Sequence, residues 1–144
     1  INIETVTAIK QLDDILNSPE AKFLDEITIG CSDLSGSMKR SGVDRTVLNR
    51  VVRAVKKIQS KKLPVSVGGG IQPETIDGFL EKVRPDKFNT RVVTFDVVPG
   101  QKYGQAVAEA LKFEILMLEH DAGMGFITRD EEKFRIKELK KRLK

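Results

Sequence analysis

Two acidic residues follow short β-branched segments near the start of the chain, and they are the first candidates for chemistry. Glu4 comes directly after residues 1–3, and Asp33 lies three residues beyond Gly30, where residues 27–29 end. Acidic side chains just past the carboxyl ends of parallel strands are where α/β proteins place metals and substrates. Two carboxylates can hold one divalent cation and leave open positions for water or substrate. Glu4 and Asp33 together therefore predict a metal site.

Each acid also has an ordinary structural interpretation. A glutamate after a strand is often a surface acid or a helix cap, and Asp33, before Leu34 and Ser35, suits the capping of a turn. Gly30 allows a sharp backbone turn and the close approach of a ligand. The metal hypothesis therefore depends on the two acids acting as a pair.

The composition is that of an ordinary globular protein and excludes several other classes. With 144 residues, 40% hydrophobic and 32% charged, we predict a single domain, 1–144, ending in a basic helical tail, 129–144. No aromatic residue interleaves the basic residues of 137–144, so a solvated helix face is favoured and no nucleic-acid partner is expected. One cysteine, no long apolar run and no signal-peptide pattern predict a cytoplasmic protein without a membrane partner.

The hydrophobic periodicity predicts alternating strands and helices. Connections too long for hairpins favour a parallel sheet. Asp44 is expected to cap a helix with Val47, Val51, Val55 and Ile58 inward. The predicted strands are 1–3, 27–29, 64–67 and 88–95, a loop is expected over 30–42, and helices are expected after Thr5 or Thr7, after Asp44, from Pro73, over 104–119 and over 130–143.

Four βα units correspond to half of a TIM-type (β/α)8 barrel, which needs about 250 residues. We therefore expect the C-terminal half of such a barrel plus an extra C-terminal helix, with an open sheet as the alternative. The missing half is expected upstream of Ile1 in a longer chain, or from another copy. The segment 104–119 is apolar on most sides, which suits burial against that half or against a second subunit.

Several segments resemble the second half of the HpcH/HpaI aldolase and citrate-lyase-like family: Ile3-Glu4-Thr5, Leu12-Asp13-Asp14-Ile15-Leu16 and the run from Ile29 to Met38. The resemblance implies a metal-dependent (β/α)8 barrel that breaks or forms carbon–carbon bonds next to a 2-oxo acid or an acyl thioester. It assigns Glu4 and Asp33 as ligands of Mg²⁺, or of Mn²⁺ or another divalent metal. It assigns the backbone of Gly30, Cys31 and Ser32 to the carboxylate of a pyruvate-like substrate.

The same resemblance implies a lyase or aldolase in which the metal stabilises an enolate, a possible coenzyme A thioester, and a homo-oligomer. The family's general base and substrate-polarising arginine are expected upstream of Ile1. This chain alone is therefore predicted to be inactive. Cys31 stands where family members usually have proline, and it is expected to be either a reactive thiol or, more simply, a small space-filling residue.

A second candidate site is the glycine run Gly68, Gly69 and Gly70, after the predicted strand 64–67. Glycine-rich turns before a helix N-terminus bind phosphate in many barrels, so a phosphate-binding isomerase or synthase is the alternative function. A tight turn without a ligand explains the glycines equally well. A non-catalytic half-barrel that serves as an assembly module is the third hypothesis.

The remaining polar candidates are weaker. Alternation along 88–95 places Asn89, Arg91, Val93 and Phe95 on one face, where Arg91 would line the barrel or form a structural ion pair. Asp96, at the carboxyl end of that predicted strand, is a minor candidate. His120, the only histidine, is expected to be structural near a helix end.

Overall fold

A computed structural model describes residues 1–143, which form an α/β fold with a five-stranded, mostly parallel sheet and seven α-helices. The strands are β1 (Asn2–Ile3), β2 (Ile27–Gly30), β3 (Val65–Gly68), β4 (Lys87–Asn89) and β5 (Thr94–Asp96). The helices are α1 (Val6–Lys10), α2 (Leu12–Asn17), α3 (Cys31–Ser37), α4 (Arg45–Ser60), α5 (Ile76–Val83), α6 (Gly104–Gly123) and α7 (Arg129–Arg142), and Pro19–Phe23 forms a 3₁₀ turn. Within residues 1–143 no helix is both long enough and apolar enough to cross a bilayer.

The strand order is β1-β2-β3-β4-β5, with β1 to β4 parallel and β5 antiparallel to β4. The predicted parallel sheet is thus confirmed for its first four strands. The register pairs Ile3 with Ile29, Gly30 with Gly68, and Gly68 with Asn89. β1 and β5 are the two edges of this sheet, so its strands do not close into a barrel within the described part of the chain.

The two faces of the sheet differ in polarity because side chains alternate along each strand. One face presents a row of buried apolar residues in register, and Phe88 stacks on Phe95 with ring centroids 4.8 Å apart. The other face is polar: the hydroxyls of Thr28 and Ser66 are 2.8 Å apart. The apolar row comprises Ile3, Ile29, Val67 and Phe88, each at most 1% exposed.

The predicted caps of two helices are confirmed. The Asp44 carboxylate accepts hydrogen bonds from the N–H groups of Thr46 (2.8 Å) and Val47 (2.9 Å) at the start of α4. The predicted inward residues of α4 are all buried. Thr5 Oγ1 accepts the Ala8 N–H at 3.1 Å, although the helix predicted there is interrupted and becomes α1 and α2.

The predicted loop over 30–42 is wrong, because residues 31–37 form helix α3. Gly30 occupies the cap position before the helix, and the Ser35 hydroxyl donates to the Cys31 carbonyl at 2.7 Å. Cys31 and Leu34 are fully buried. Burial of these two side chains therefore overrides the weak helix propensity of the small polar residues around them.

The single strand predicted over 88–95 is also wrong. The chain turns between β4 and β5, and the Thr90 N–H donates to the Val93 carbonyl at 2.9 Å. Arg91 lies in this turn with φ of 106°, in the left-handed region that L-residues rarely adopt. The predicted common face of Asn89, Arg91, Val93 and Phe95 therefore does not exist.

The chain divides into two compact units, each described by itself. The first contains residues 1–70 and 78–101, and with them all five strands. The second contains residues 71–77 and the chain from 102 onward.

In the second unit, Arg142 donates two hydrogen bonds to the Ile71 carbonyl, at 3.0 and 2.8 Å. Helix α6 exceeds the predicted 104–119, and it buries Leu111 and Leu118 while leaving Phe113 and Leu116 more than half exposed. The predicted apolar character on several sides of this helix is thus confirmed.

Candidate functional site

The carboxyl ends of four parallel strands form one rim of the first unit. At this rim Glu4 follows β1, Gly30 ends β2, Gly68 ends β3 and Asn89 ends β4. Asp33 lies in the first turn of α3, directly after β2. Glu4 and Asp33 therefore follow neighbouring parallel strands at the same edge of the sheet, as the metal hypothesis requires.

The Glu4 side chain leans over the adjacent strand. Its Cγ lies 2.7 Å, and its Oε1 2.8 Å, from the position that a Cβ atom on Gly30 would take. Only glycine leaves this space free. Within residues 1–143 the Glu4 carboxylate takes part in no hydrogen bond or ion pair, so its oxygens are available to a ligand.

Asp33 is exposed on α3, and its carboxylate likewise has no hydrogen-bond partner among residues 1–143. Helix α3 is tied to the segment after Glu4, because the Ser37 hydroxyl accepts the Val6 N–H at 3.0 Å. This bond links the start of α1 to the end of α3.

A hard cation held by Glu4 and Asp33 would have only two protein ligands. No group of three or more His, Cys, Asp or Glu side chains in the described chain is arranged to hold a metal. Glu4 and Asp33 would supply two carboxylates, and water or substrate would complete the coordination shell.

The predicted carboxylate-binding backbone lies at the start of α3. Cys31 and Ser32 are its first two residues, and N–H groups at this position lack intrahelical acceptors. The Cys31 side chain is fully buried, and burial raises the pKa of its thiol to about 12. Cys31 is therefore a protonated packing residue at neutral pH, which agrees with the simpler of its two interpretations.

The glycine run has a structural explanation in close packing. Gly69 and Gly70 have φ values of 84° and 70°, which favour glycine. A Cβ on Gly69 would lie 2.7 Å from the Ser32 backbone nitrogen and 2.9 Å from its Oγ. Helix α5 begins only at Ile76, so the glycines are not in its first turn. Phosphate binding at Gly68, Gly69 and Gly70 stays a prediction.

Asn89 is a rim residue, whereas the sequence predicted it within a longer strand over 88–95. Its side-chain amide lies across Gly68: Cγ and Nδ2 are 2.9 and 3.1 Å from the position of a Cβ on that glycine, and Oδ1 is the nearest atom. The sequence offers no signal for this contact, because Asn89 is the second residue of the predicted strand 88–95 and not its end. The contact depends on strand register, which the pattern does not give.

Two other candidates, Asp96 and His120, are not residues of this rim. β5 runs antiparallel and Asp96 pairs with Lys87, so Asp96 lies at the amino-terminal edge of the parallel strands, and its predicted place at the carboxyl edge is wrong. His120 is exposed in the second unit, with Nδ1 3.6 Å from Asp121 Oδ1.

An ion pair between Glu26 and Lys87 lies at the amino-terminal edge of the polar face of the sheet. Lys87 Nζ donates to Glu26 Oε2 at 2.8 Å. This hydrogen bond is the main cause that lowers the pKa of Glu26 below its ordinary value of 4.5 and raises the pKa of Lys87 above 10.5. Both groups are therefore charged over the whole neutral range.

No protein-family model, curated protein or solved structure matches this chain.

Proposed function

We propose that this chain belongs to a divalent-metal-dependent carbon–carbon lyase or aldolase that acts on a 2-oxo acid or an acyl thioester. One observation supports the proposal most: the Glu4 carboxylate leans over Gly30 at the rim where Asp33 follows the neighbouring strand. Neither carboxylate makes a hydrogen bond or an ion pair within residues 1–143. Two free acids at the carboxyl edge of parallel strands suit a cation site in an α/β protein.

Glu4 and Asp33 are the residues that would hold Mg²⁺ or Mn²⁺. The bound ion would supply Lewis acidity toward substrate oxygens. The N–H groups of Cys31 and Ser32 would orient the substrate carboxylate, as oriented backbone dipoles do for anions. Gly30 leaves room for the Glu4 side chain and Gly68 leaves room for the Asn89 amide, because neither glycine carries a side chain.

The general base and the substrate-polarising arginine are not assigned to any residue of this chain. They would come from outside residues 1–144, in a cytoplasmic homo-oligomer. The chain by itself is then a metal-binding and substrate-binding half without turnover.

The half-barrel is part of the same proposal. The sequential order of β1 to β4 is the strand order of a (β/α)8 barrel. β5 pairs with β4 on the side where a further parallel strand would lie. Closure would therefore require β5 to move or additional strands to join at β1.

Titration with Mn²⁺, followed by the loss of its free-ion EPR signal, tests the metal site. Glu4→Gln and Asp33→Asn keep the shape of each side chain and remove its charge. Each is expected to weaken Mn²⁺ binding at least tenfold, whereas Asp14→Asn, at an exposed acid on α2, should change it less than twofold. Equal Mn²⁺ affinity in all four proteins would contradict the proposal.

A further inference from the structure

A groove between helices of the first unit, here called the helix groove, has a basic wall. It lies between the α1–α2 segment and α4, and its volume is about 460 Å³, within the range of small-molecule sites. Arg50, Arg53 and Lys57 form the basic wall. Among the described residues, the helix groove is lined by no acidic side chain and by no residue of the rim.

The positive charge of the helix groove is only partly compensated. Lys57 Nζ donates to Asp13 Oδ2 of α2 at 2.6 Å, so the charge of this lysine is balanced. Arg50 is half-buried and Arg53 is exposed, and within residues 1–143 neither makes a hydrogen bond or an ion pair. Two guanidinium charges in the helix groove are therefore without a counter-charge in the described chain.

The two arginines are also neighbours on the helix surface. Arg50 and Arg53 lie three residues apart on α4, and side chains at this spacing share one face of a helix. Like charges so placed repel each other, which destabilises the helix. An anion bound between the two guanidinium groups would remove this repulsion, and each guanidinium can donate two parallel hydrogen bonds to a phosphate or a carboxylate.

The charge balance favours a phosphate monoester over a carboxylate. A phosphate monoester carries a charge of about −1.5 to −2 at pH 7 and compensates both arginines, whereas a carboxylate compensates only one. The other wall of the helix groove is apolar. It consists of Ile9, which is half-buried, and of Leu12 and Ala54, which are buried. This wall suits a hydrocarbon body attached to the phosphate.

We propose that the helix groove binds an organic phosphate monoester. Arg50 and Arg53 hold the phosphate oxygens, and Ile9 contacts the apolar body of the ligand. The site needs no metal and does not depend on the proposed function. It also differs from the phosphate site predicted at Gly68, Gly69 and Gly70, because none of these glycines lines the helix groove.

Calorimetric titration of the whole chain with phenyl phosphate, in metal-free buffer at pH 7.5, tests the proposal. The wild-type chain should bind phenyl phosphate at least about fivefold more tightly than inorganic phosphate or benzoate. Arg50→Gln and Arg53→Gln should each weaken phenyl phosphate binding about tenfold or more, the loss expected for a hydrogen bond to a charged group. Arg45→Gln is the matched control, since Arg45 is exposed on α4 outside the helix groove, and affinity should stay within twofold.

Three further measurements test the details of the site. The affinity for phenyl phosphate should fall between pH 7.5 and pH 5, because the phosphate gains a proton near pH 6 while arginine stays charged. Ile9→Ser should weaken phenyl phosphate binding about threefold and leave inorganic phosphate binding within twofold. The urea midpoints of Arg50→Gln and Arg53→Gln should be no lower than that of the wild type, because each substitution removes a like-charge contact.

Four results would overturn the proposal. The first is a wild-type chain that does not bind phenyl phosphate at about 10 mM, the range of a very weak site. The second is binding that survives both Arg50→Gln and Arg53→Gln, which would place the phosphate elsewhere, for example at Gly69. The third is an equal loss in Arg45→Gln, which would indicate an effect of net charge alone. The fourth is equal affinity for benzoate and phenyl phosphate.

Discussion

The Glu4 side chain occupies the space beside Gly30 that any other residue at position 30 would need, with Glu4 Cγ 2.7 Å from the site of its Cβ. This relationship places the Glu4 carboxylate, at the end of β1, over the last residue of the neighbouring strand β2. The glycine is therefore required for the position of the acid rather than for its own backbone angles.

Gly30→Ala should move the Glu4 carboxylate without unfolding the chain. The φ of Gly30 is −84°, which alanine adopts freely, and Glu4 can swing away. We expect Mn²⁺ affinity to fall at least fivefold, with a change in the free energy of unfolding below about 1 kcal/mol. Gly36→Ala is the matched control, because nothing lies within 4 Å of that position on α3, and it should leave Mn²⁺ affinity unaltered.

Gly69→Ala should be markedly destabilising, because it combines a left-handed backbone with a clash against the Ser32 nitrogen. The expected loss in the free energy of unfolding is about 2–4 kcal/mol in urea denaturation. Gly70→Ala has the backbone penalty but an ordinary 3.5 Å contact, so about 1 kcal/mol is expected.

Gly78→Ala should have the opposite effect on the free energy of unfolding in the same urea denaturation assay. Gly78 lies inside α5 with open space around its Cβ position, so alanine should stabilise by about 0.5–1 kcal/mol. If Gly69→Ala and Gly78→Ala had the same effect on stability, the packing of Gly69 against Ser32 would be wrong.

The Glu26–Lys87 ion pair should make stability depend on pH at both extremes. The pKa of Glu26 is lowered by folding, so its contribution is present above the ordinary pKa of 4.5 and disappears as pH falls through the lower folded value. The pKa of Lys87 is raised, so its contribution is present below 10.5 and disappears as pH rises through the higher folded value.

Glu26→Gln should therefore lower the urea midpoint at pH 7, and its difference from the wild type should shrink toward pH 3. Glu20→Gln, at an exposed acid, should have little effect at either pH. A difference between Glu26→Gln and wild type that grows on acidification would exclude this assignment.

Asp44→Ala should destabilise the chain by about 1 kcal/mol, since it removes the acceptor for two N–H groups at the start of α4. Asp44→Asn should recover most of this loss, because asparagine is an equally good cap. Thermal denaturation measures the stability of the two variants against the wild type. Asn49→Ala, at an exposed position within α4, is the control. Equal stability of Asp44→Ala and wild type would show that the cap contributes nothing.

Structural features that depend on local sequence were predictable. Features that depend on packing or on the pairing register between strands were not. The Asp44 cap and the buried stripe of α4 follow from residue spacing alone. Helix α3 was missed because its stability comes from the burial of Leu34. The turn at Arg91 was missed because residues 90–93 contain none of the glycine or asparagine residues that usually mark a left-handed turn.

The candidate site divides in the same way. The sequence predicted that Glu4 and Asp33 follow neighbouring strands because each comes after an apolar segment, and the structure confirms only that placement. The contact between Asn89 and Gly68 was not found, because a shift of one residue in the pairing of β3 with β4 would abolish it.

The contact between Gly69 and the backbone nitrogen of Ser32 has a thermodynamic consequence. The turn after β3 packs closely against the start of α3 at this point. The amides at the start of α3 are therefore held in place by the fold. If the predicted carboxylate bound at these amides, little backbone motion would be lost, and the entropic penalty of ordering would be small.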